Sequence, residues 1–167
     1  MRSSYKRLPA IVAATVLALV SGCSSEPMQN VQASAAEAKT PAPTNANEVA
    51  TALKRAKLPL VDIKEVSEVT DDNHLLGRPG QYTSKLFFYD ARHPKGAEGD
   101  DGENTIEVFS NPVDAKRRHD YIADITGGVG ILTQYQILRG PVLVRLDKLV
   151  LPTEAKAYEA ALDAAMR

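Results

Sequence analysis

The chain has 167 residues, 44% hydrophobic, 5% aromatic and 25% charged, with no tryptophan and one cysteine. Its 20 Lys and Arg stand against 21 Asp and Glu for a formal net charge of −1, which argues against a polyanion such as nucleic acid as the electrostatic partner. A single cysteine excludes a disulfide within the chain, and the apolar fraction is high enough for a core packed without one.

The N-terminus carries Arg2, Lys6 and Arg7, then the apolar run Leu8–Val20 interrupted by Pro9, then the small residues Ser21 and Gly22 ahead of Cys23. A basic start, an apolar middle and a small-residue end are the parts of an export signal. The run is shorter than the ~20 residues of a bilayer-spanning helix, so residues 1–22 read as a signal peptide and not as a membrane span. Lys6-Arg7 matches a twin-arginine pattern only in part, and the general secretion route is expected.

Leu19-Val20-Ser21-Gly22-Cys23 resembles, over its full length, the lipobox of bacterial lipoproteins. The resemblance implies a diacylglyceryl thioether on the Cys23 thiol, cleavage between Gly22 and Cys23, and a protein held on the cell membrane facing outside the cytoplasm. Two acyl chains at ~0.8 kcal/mol per buried CH₂ anchor a small protein durably, where one chain does so only marginally. The alternatives are an ordinary secretory signal with an incidental cysteine, or a free structural thiol. With residues 1–22 removed, 17 Lys and Arg remain against 21 Asp and Glu, a formal charge of −4. The expected partners are therefore the membrane, through lipidated Cys23, and a protein or envelope component, with no nucleic acid.

Residues 23–47 are rich in Ala, Ser, Thr and Pro and nearly devoid of large apolar side chains, a tether with a mean reach of roughly 25–30 Å. A short alanine-favoured helix over Val31–Lys39 would be marginal without packing. Residues 48–167 have the length of one ordinary domain. Asn47 is placed to cap a helix with Val49, Ala52, Leu53 and Ala56 on one face, and Pro59 stops it. Val61 and Ile63 then alternate with Asp62 and Lys64 as a first strand, and the parity slips at Val66 and Val69.

Turn residues on either side of Leu75-Leu76 lead into the strongest strand, Tyr82–Asp90, whose Leu86-Phe87-Phe88-Tyr89 puts large side chains on both faces. Such a strand is central, or covered by helices on one side and by a loop on the other. A polar loop from Arg92 to Asn104 precedes a short strand, Thr105–Phe109. Asn111-Pro112-Val113-Asp114 starts a helix through a side-chain cap, a proline at the first position and a carboxylate near the positive end of the dipole. It runs to Thr126 and ends at Gly127-Gly128, with Ala115, Ile122 and Ile125 inward and Tyr121 flanking. Gln134–Leu138 and Val142–Leu146 form a hairpin through Arg139-Gly140-Pro141, and a last helix after Pro152 aligns Ala155, Tyr158, Leu162 and Ala165.

The order α-β-β-β-α-β-β-α, with most strand connections too short for crossovers, predicts an α+β fold: one small domain with a mainly antiparallel sheet of about five strands and helices packed on one face. Leu75 to Lys85, together with the Asp114-Ala115-Lys116-Arg117-Arg118 helix, resembles small lipoproteins of high-GC Gram-positive bacteria. That resemblance implies no activity.

Residues able to do chemistry are sparse. His74, His93 and His119 lack the paired spacing of a zinc site and read as surface residues, so no metal is expected. Glu98-Gly99-Asp100-Asp101-Gly102-Glu103 offers oxygens to Ca²⁺ but lacks the spacing of an EF-hand loop, and a solvated acidic loop is the plainer reading. Ser84 and Ser110 do not sit in a nucleophile elbow, and Gly127-Gly128-Val129-Gly130 follows a helix instead of opening one, so neither hydrolysis nor a dinucleotide cofactor is expected. Lys116-Arg117-Arg118-His119 reads as a solvated helix face. One loop stands out: Arg78-Pro79-Gly80-Gln81-Tyr82, where Pro79 would rigidify a turn presenting Arg78 and Tyr82, residue types enriched at binding hot spots. Plain turn chemistry, with Tyr82 opening the core strand, is the competing reading.

These features favour a non-enzymatic binding or interaction module anchored at the cell envelope. A carrier or sensor for a small or lipidic ligand is the alternative suggested by the apolar strand at Leu86–Tyr89. A third is a surface lipoprotein that interferes with phage entry.

Overall fold

The computed structural model describes residues 41–93, 102–127 and 134–167. The signal peptide, Cys23, the tether as far as residue 40, residues 98–101 of the acidic loop and the glycines at 128 and 130 lie outside the described residues.

The first helix, α1 (Ala46–Arg55), is capped by Asn45, whose side chain accepts from the Glu48 amide at 2.9 Å. Glu48 occupies the first turn and Lys54 and Arg55 the last, each charge matched to its end of the macrodipole. The helix starts two residues before the position expected from Asn47, because this register aligns Ala46, Val49, Ala50 and Leu53 on a single buried stripe. It also lets the Ala46 amide donate to Ser84 Oγ at 3.0 Å. Pro43 is buried too, so the folded domain begins inside the segment read as tether.

Five strands follow: β1 (Leu60–Glu65), β2 (Tyr82–Asp90), β3 (Glu103–Phe109), β4 (Tyr135–Arg139) and β5 (Val142–Leu146). They form one open, wholly antiparallel sheet in the order β1-β2-β3-β5-β4. β4 and β5 make the expected hairpin, turning at Gly140 with φ of 53°. In β1 the alternation breaks earlier than expected, since the pairing shifts between Val61 and Lys64 and Asp62 adopts φ of 49°. The bulge turns Val61 outward to 38% exposure, while Leu60 is buried and Ile63 half-buried.

The register explains how the sheet sorts its side chains. Leu86, Ile106, Val144 and Ile137 lie opposite one another across four strands, and all four enter the main core. Helix α1 and the last helix, α3 (Pro152–Ala165), cover this face with Val49, Leu53, Ala155, Tyr158 and Leu162. The adjacent rows point the other way: Lys85, Glu107, Leu143 and Leu138 in one, Phe87, Thr105, Arg145 and Gln136 in the next. The middle helix, α2 (Pro112–Thr126), lies over this second face, burying Ala115 and Ile122 with Tyr82, Phe109 and Leu143. Packing on one face thus describes α1 and α3, whereas α2 sits on the opposite side. The physical reason is that a strand with large side chains in both directions, such as β2, has apolar surface to cover on each.

Candidate functional site

The second face carries charge at the middle of its strands. Lys85, Glu107 and the nearby Asp71 are all buried, so each needs a partner inside the protein. The Asp71 carboxylate accepts from the Leu75 and Leu76 amides at 2.7 and 2.9 Å, from the Tyr82 hydroxyl at 2.7 Å and from Lys85 Nζ at 3.2 Å. Burial opposes ionisation of Asp71, but the donors from Tyr82, Leu76, Leu75 and Lys85 outweigh it and hold the carboxyl well below the usual carboxylate range. Burial, with the same bond to Asp71, pushes the Tyr82 hydroxyl above its ordinary value. The Lys85 ammonium also lies 5.1 Å from the Tyr82 ring centre and 4.7 Å from that of Phe87.

Glu107 is 0% exposed and takes two guanidinium groups: Arg118 from α2, at 3.4 Å on each oxygen, and Arg145 from β5, at 3.3 Å. Arg118 lies 6.0 and 5.9 Å from the ring centres of Tyr82 and Tyr121. Arg145 donates a further 3.4 Å contact to Gln134, while its Nε is buried without a hydrogen-bond partner among the described residues.

Above this charged floor, between α2 and the 71–81 loop, opens a cavity of about 740 Å³. Arg118 and Arg145 line it below, Leu75, Gly80 and Gln81 on the loop side, and Tyr121, Ile122 and Ile125 on the helix side. Tyr121 and Ile125 are 56% and 52% exposed. Ile125 is therefore a wall of the cavity and not the inward residue its spacing suggested. The volume lies within the roughly 300–1,000 Å³ typical of small-molecule sites.

The loop singled out from the sequence is divided by the fold. Arg78 and Pro79 are exposed in a turn closed by Gln81 N to Arg78 O at 3.0 Å, whereas Gly80 and Gln81 line the cavity. Tyr82 is 0% exposed and bonded to Asp71, which removes it from any presented hot spot. Gly80 has φ of +74°, a left-handed conformation that calls for glycine, and a Cβ there would also stand 3.1 Å from the mobile end of Arg117, at Nη1. The basic run on α2 is divided as well. Lys116 and Arg117 face solvent with Asp120 and Asp114, but Arg118 turns inward to Glu107. Glu107 stands between Ile106 and Val108 on β3, pointing to the opposite face from both. A carboxylate in the middle of a strand covered on both sides requires a cation, and that is the signal by which Arg118 and Arg145 were recognisable.

A second polar cluster joins the end of β2 to the start of α3. Asp90 accepts from Tyr158 Oη at 2.8 Å and from Arg92 Nε and Nη2 at 2.8 and 2.5 Å, while Glu154 meets His93 Nε2 at 2.5 Å and Arg92 at 3.3 Å. Glu154 also caps its own helix by accepting from the Leu151 amide at 2.9 Å. Every carboxylate here is engaged, so the cluster fastens α3 to the sheet. His74 and His119 stand elsewhere, His74 exposed with φ of 51° and His119 beside Asp120. Among the described residues, no group of three side chains is placed to hold a metal, and no helix is long and apolar enough to cross a membrane. Leu86 and Phe88, the apolar strand that suggested a ligand cavity, fill the core under α1 and α3, and the cavity that exists lies on the other face. Comparison with known protein families, curated proteins and solved structures found nothing that matches this chain.

Proposed function

We propose that this protein is a lipid-anchored, extracytoplasmic binding module, non-enzymatic, whose binding site is the cavity beneath α2. The observation that carries the binding role is a concave site with a half-buried basic floor, paired with the buried Glu107, and exposed apolar walls. The anchor rests on the lipobox resemblance of Leu19–Cys23. A flat protein interface has no need of a cavity of this volume, so the geometry favours a carrier or sensor of a small ligand over a docking surface for a large partner.

The anchor is tested by expressing the full chain and its Cys23→Ala variant in a bacterium that processes lipoproteins, then fractionating cells and measuring intact mass. The native chain is expected in the membrane fraction with a mass matching cleavage before Cys23 plus acylation, and the variant without the lipid mass. Equal membrane retention of an unacylated variant would sink the anchor. Native mass spectrometry of the protein extracted from membranes, with and without Ile125→Glu in the cavity wall, tests the binding role: a retained small ligand is expected in the native chain and its loss in the variant, and retention indifferent to the change would place binding elsewhere.

A further inference from the structure

We infer that the α2 cavity takes a small monoanionic amphiphile, a carboxylate with an apolar body, with the carboxylate on the guanidinium groups of Arg118 and Arg145 and the body against Leu75, Tyr121 and Ile125. This rests on the reading of the cavity as the binding site and adds the class of ligand.

Charge balance is the first ground. Arg118 and Arg145 share the single carboxylate of Glu107, and Arg117 at the rim is offset by Asp114, leaving one positive charge in excess. One carboxylate neutralises it. A dianionic phosphate would overshoot, setting net negative charge above the buried Glu107.

Unused donors are the second ground. The contacts to Glu107 span 3.3 to 3.4 Å, longer than the about 2.7–2.9 Å of well-formed charge-assisted bonds, so the forks are incompletely engaged. A planar carboxylate suits the guanidinium fork.

The walls are the third ground. Tyr121 and Ile125 are large side chains left more than half exposed within the same cavity, alongside Leu75. A bare anion would leave them wet, whereas an apolar body covers them.

The test titrates the full chain, held in phosphatidylcholine nanodiscs, with 4-phenylbutyrate, its neutral amide, 4-phenylbutylamine and acetate, reading calorimetric heats against empty nanodiscs. Saturable binding of 4-phenylbutyrate is expected, with the amide and the amine about tenfold to a hundredfold weaker, as loss of charge-assisted hydrogen bonds dictates. Acetate should be weaker by at least about tenfold for want of the apolar body. Arg145→Gln should abolish the preference for carboxylate over amide. Because that change also disturbs Glu107, Ile125→Glu at an exposed position serves as the second variant, expected to lose binding with an unchanged unfolding midpoint. Equal affinity for carboxylate and amide, preference for the amine, acetate binding as well as phenylbutyrate, or no saturable binding would each overturn the ligand class. If any of these occurs while retention of a small ligand by the membrane-extracted protein still depends on Ile125, the cavity remains the binding site and only the ligand class falls.

Discussion

Asp71 illustrates how one short side chain organises a loop and a strand together. Four donors converge on its carboxylate, two from the backbone of the 71–81 loop and two from side chains of β2. Asp71→Ala leaves the Lys85 ammonium buried without its counter-ion and the Tyr82 hydroxyl without an acceptor, and is expected to cost about 3–5 kcal/mol, measured as the shift in chemical denaturation free energy. A cost under ~1 kcal/mol would mean that water replaces the carboxylate. In the sequence, Asp71 reads as turn chemistry, which is true of its two amide contacts. Its role toward Lys85 and Tyr82, 14 and 11 residues away, depends on a loop conformation that no local pattern encodes. Arg118 is parallel: its neighbours Lys116 and Arg117 are solvated, and only the placement of Glu107 on the face beneath α2 singles it out.

At the level of elements, the local chemistry of caps and turns carries through. Asn111 accepts from the Asp114 amide at 3.0 Å and donates back to its carboxylate at 2.7 Å, with Pro112 at the first position of α2. Asn111→Ala should cost about 1 kcal/mol, read in thermal unfolding, with Asn111→Asp retaining most of the stability because a carboxylate also caps. Equal losses in both variants would show that the amide donor to Asp114 matters more than the cap. The bounds of β2 and α2 follow their patterns to the residue, since a run of large side chains and an Asn-Pro start are self-contained signals. The start of α1 does not. Asn45 and Asn47 are equally good caps locally, and the choice of Asn45 comes from the fit of Ala46 and Ala50 against the sheet and of the Ala46 amide to Ser84.

For the whole molecule, buried ionisable groups on both faces of the sheet set the pH range of stability. Asp71 on one face and Asp90 at the end of β2 are each opposed by burial but held ionised by hydrogen bonds, from Tyr82 and from Arg92 in particular, so both titrate below their unfolded values. Their contribution is present above the unfolded carboxylate pKa of about 4 and is lost as pH falls further. Tyr82 and Tyr158 are shifted upward, first by burial and then by their bonds to Asp71 and Asp90. Their contribution is intact below about pH 10 and is lost as pH rises beyond it. The unfolding midpoint is expected to form a plateau between these limits and to drop on both sides. A midpoint unchanged down to about pH 3 would show that the Asp71 and Asp90 bonds contribute little.

The sequence by itself determined the order of helices and strands, the antiparallel hairpin at Gly140 and the cap of α2, because these depend on periodicities and turn residues within a few positions of one another. Tertiary structure alone decided that α2 crosses to the second face, that Tyr82 is buried instead of presented, and that Arg118 and Arg145 meet over Glu107 at the base of a cavity. Those outcomes depend on strand register and on which apolar face a helix finds. Contacts between residues as distant as Glu107 and Arg145 arise only when the sheet has assembled.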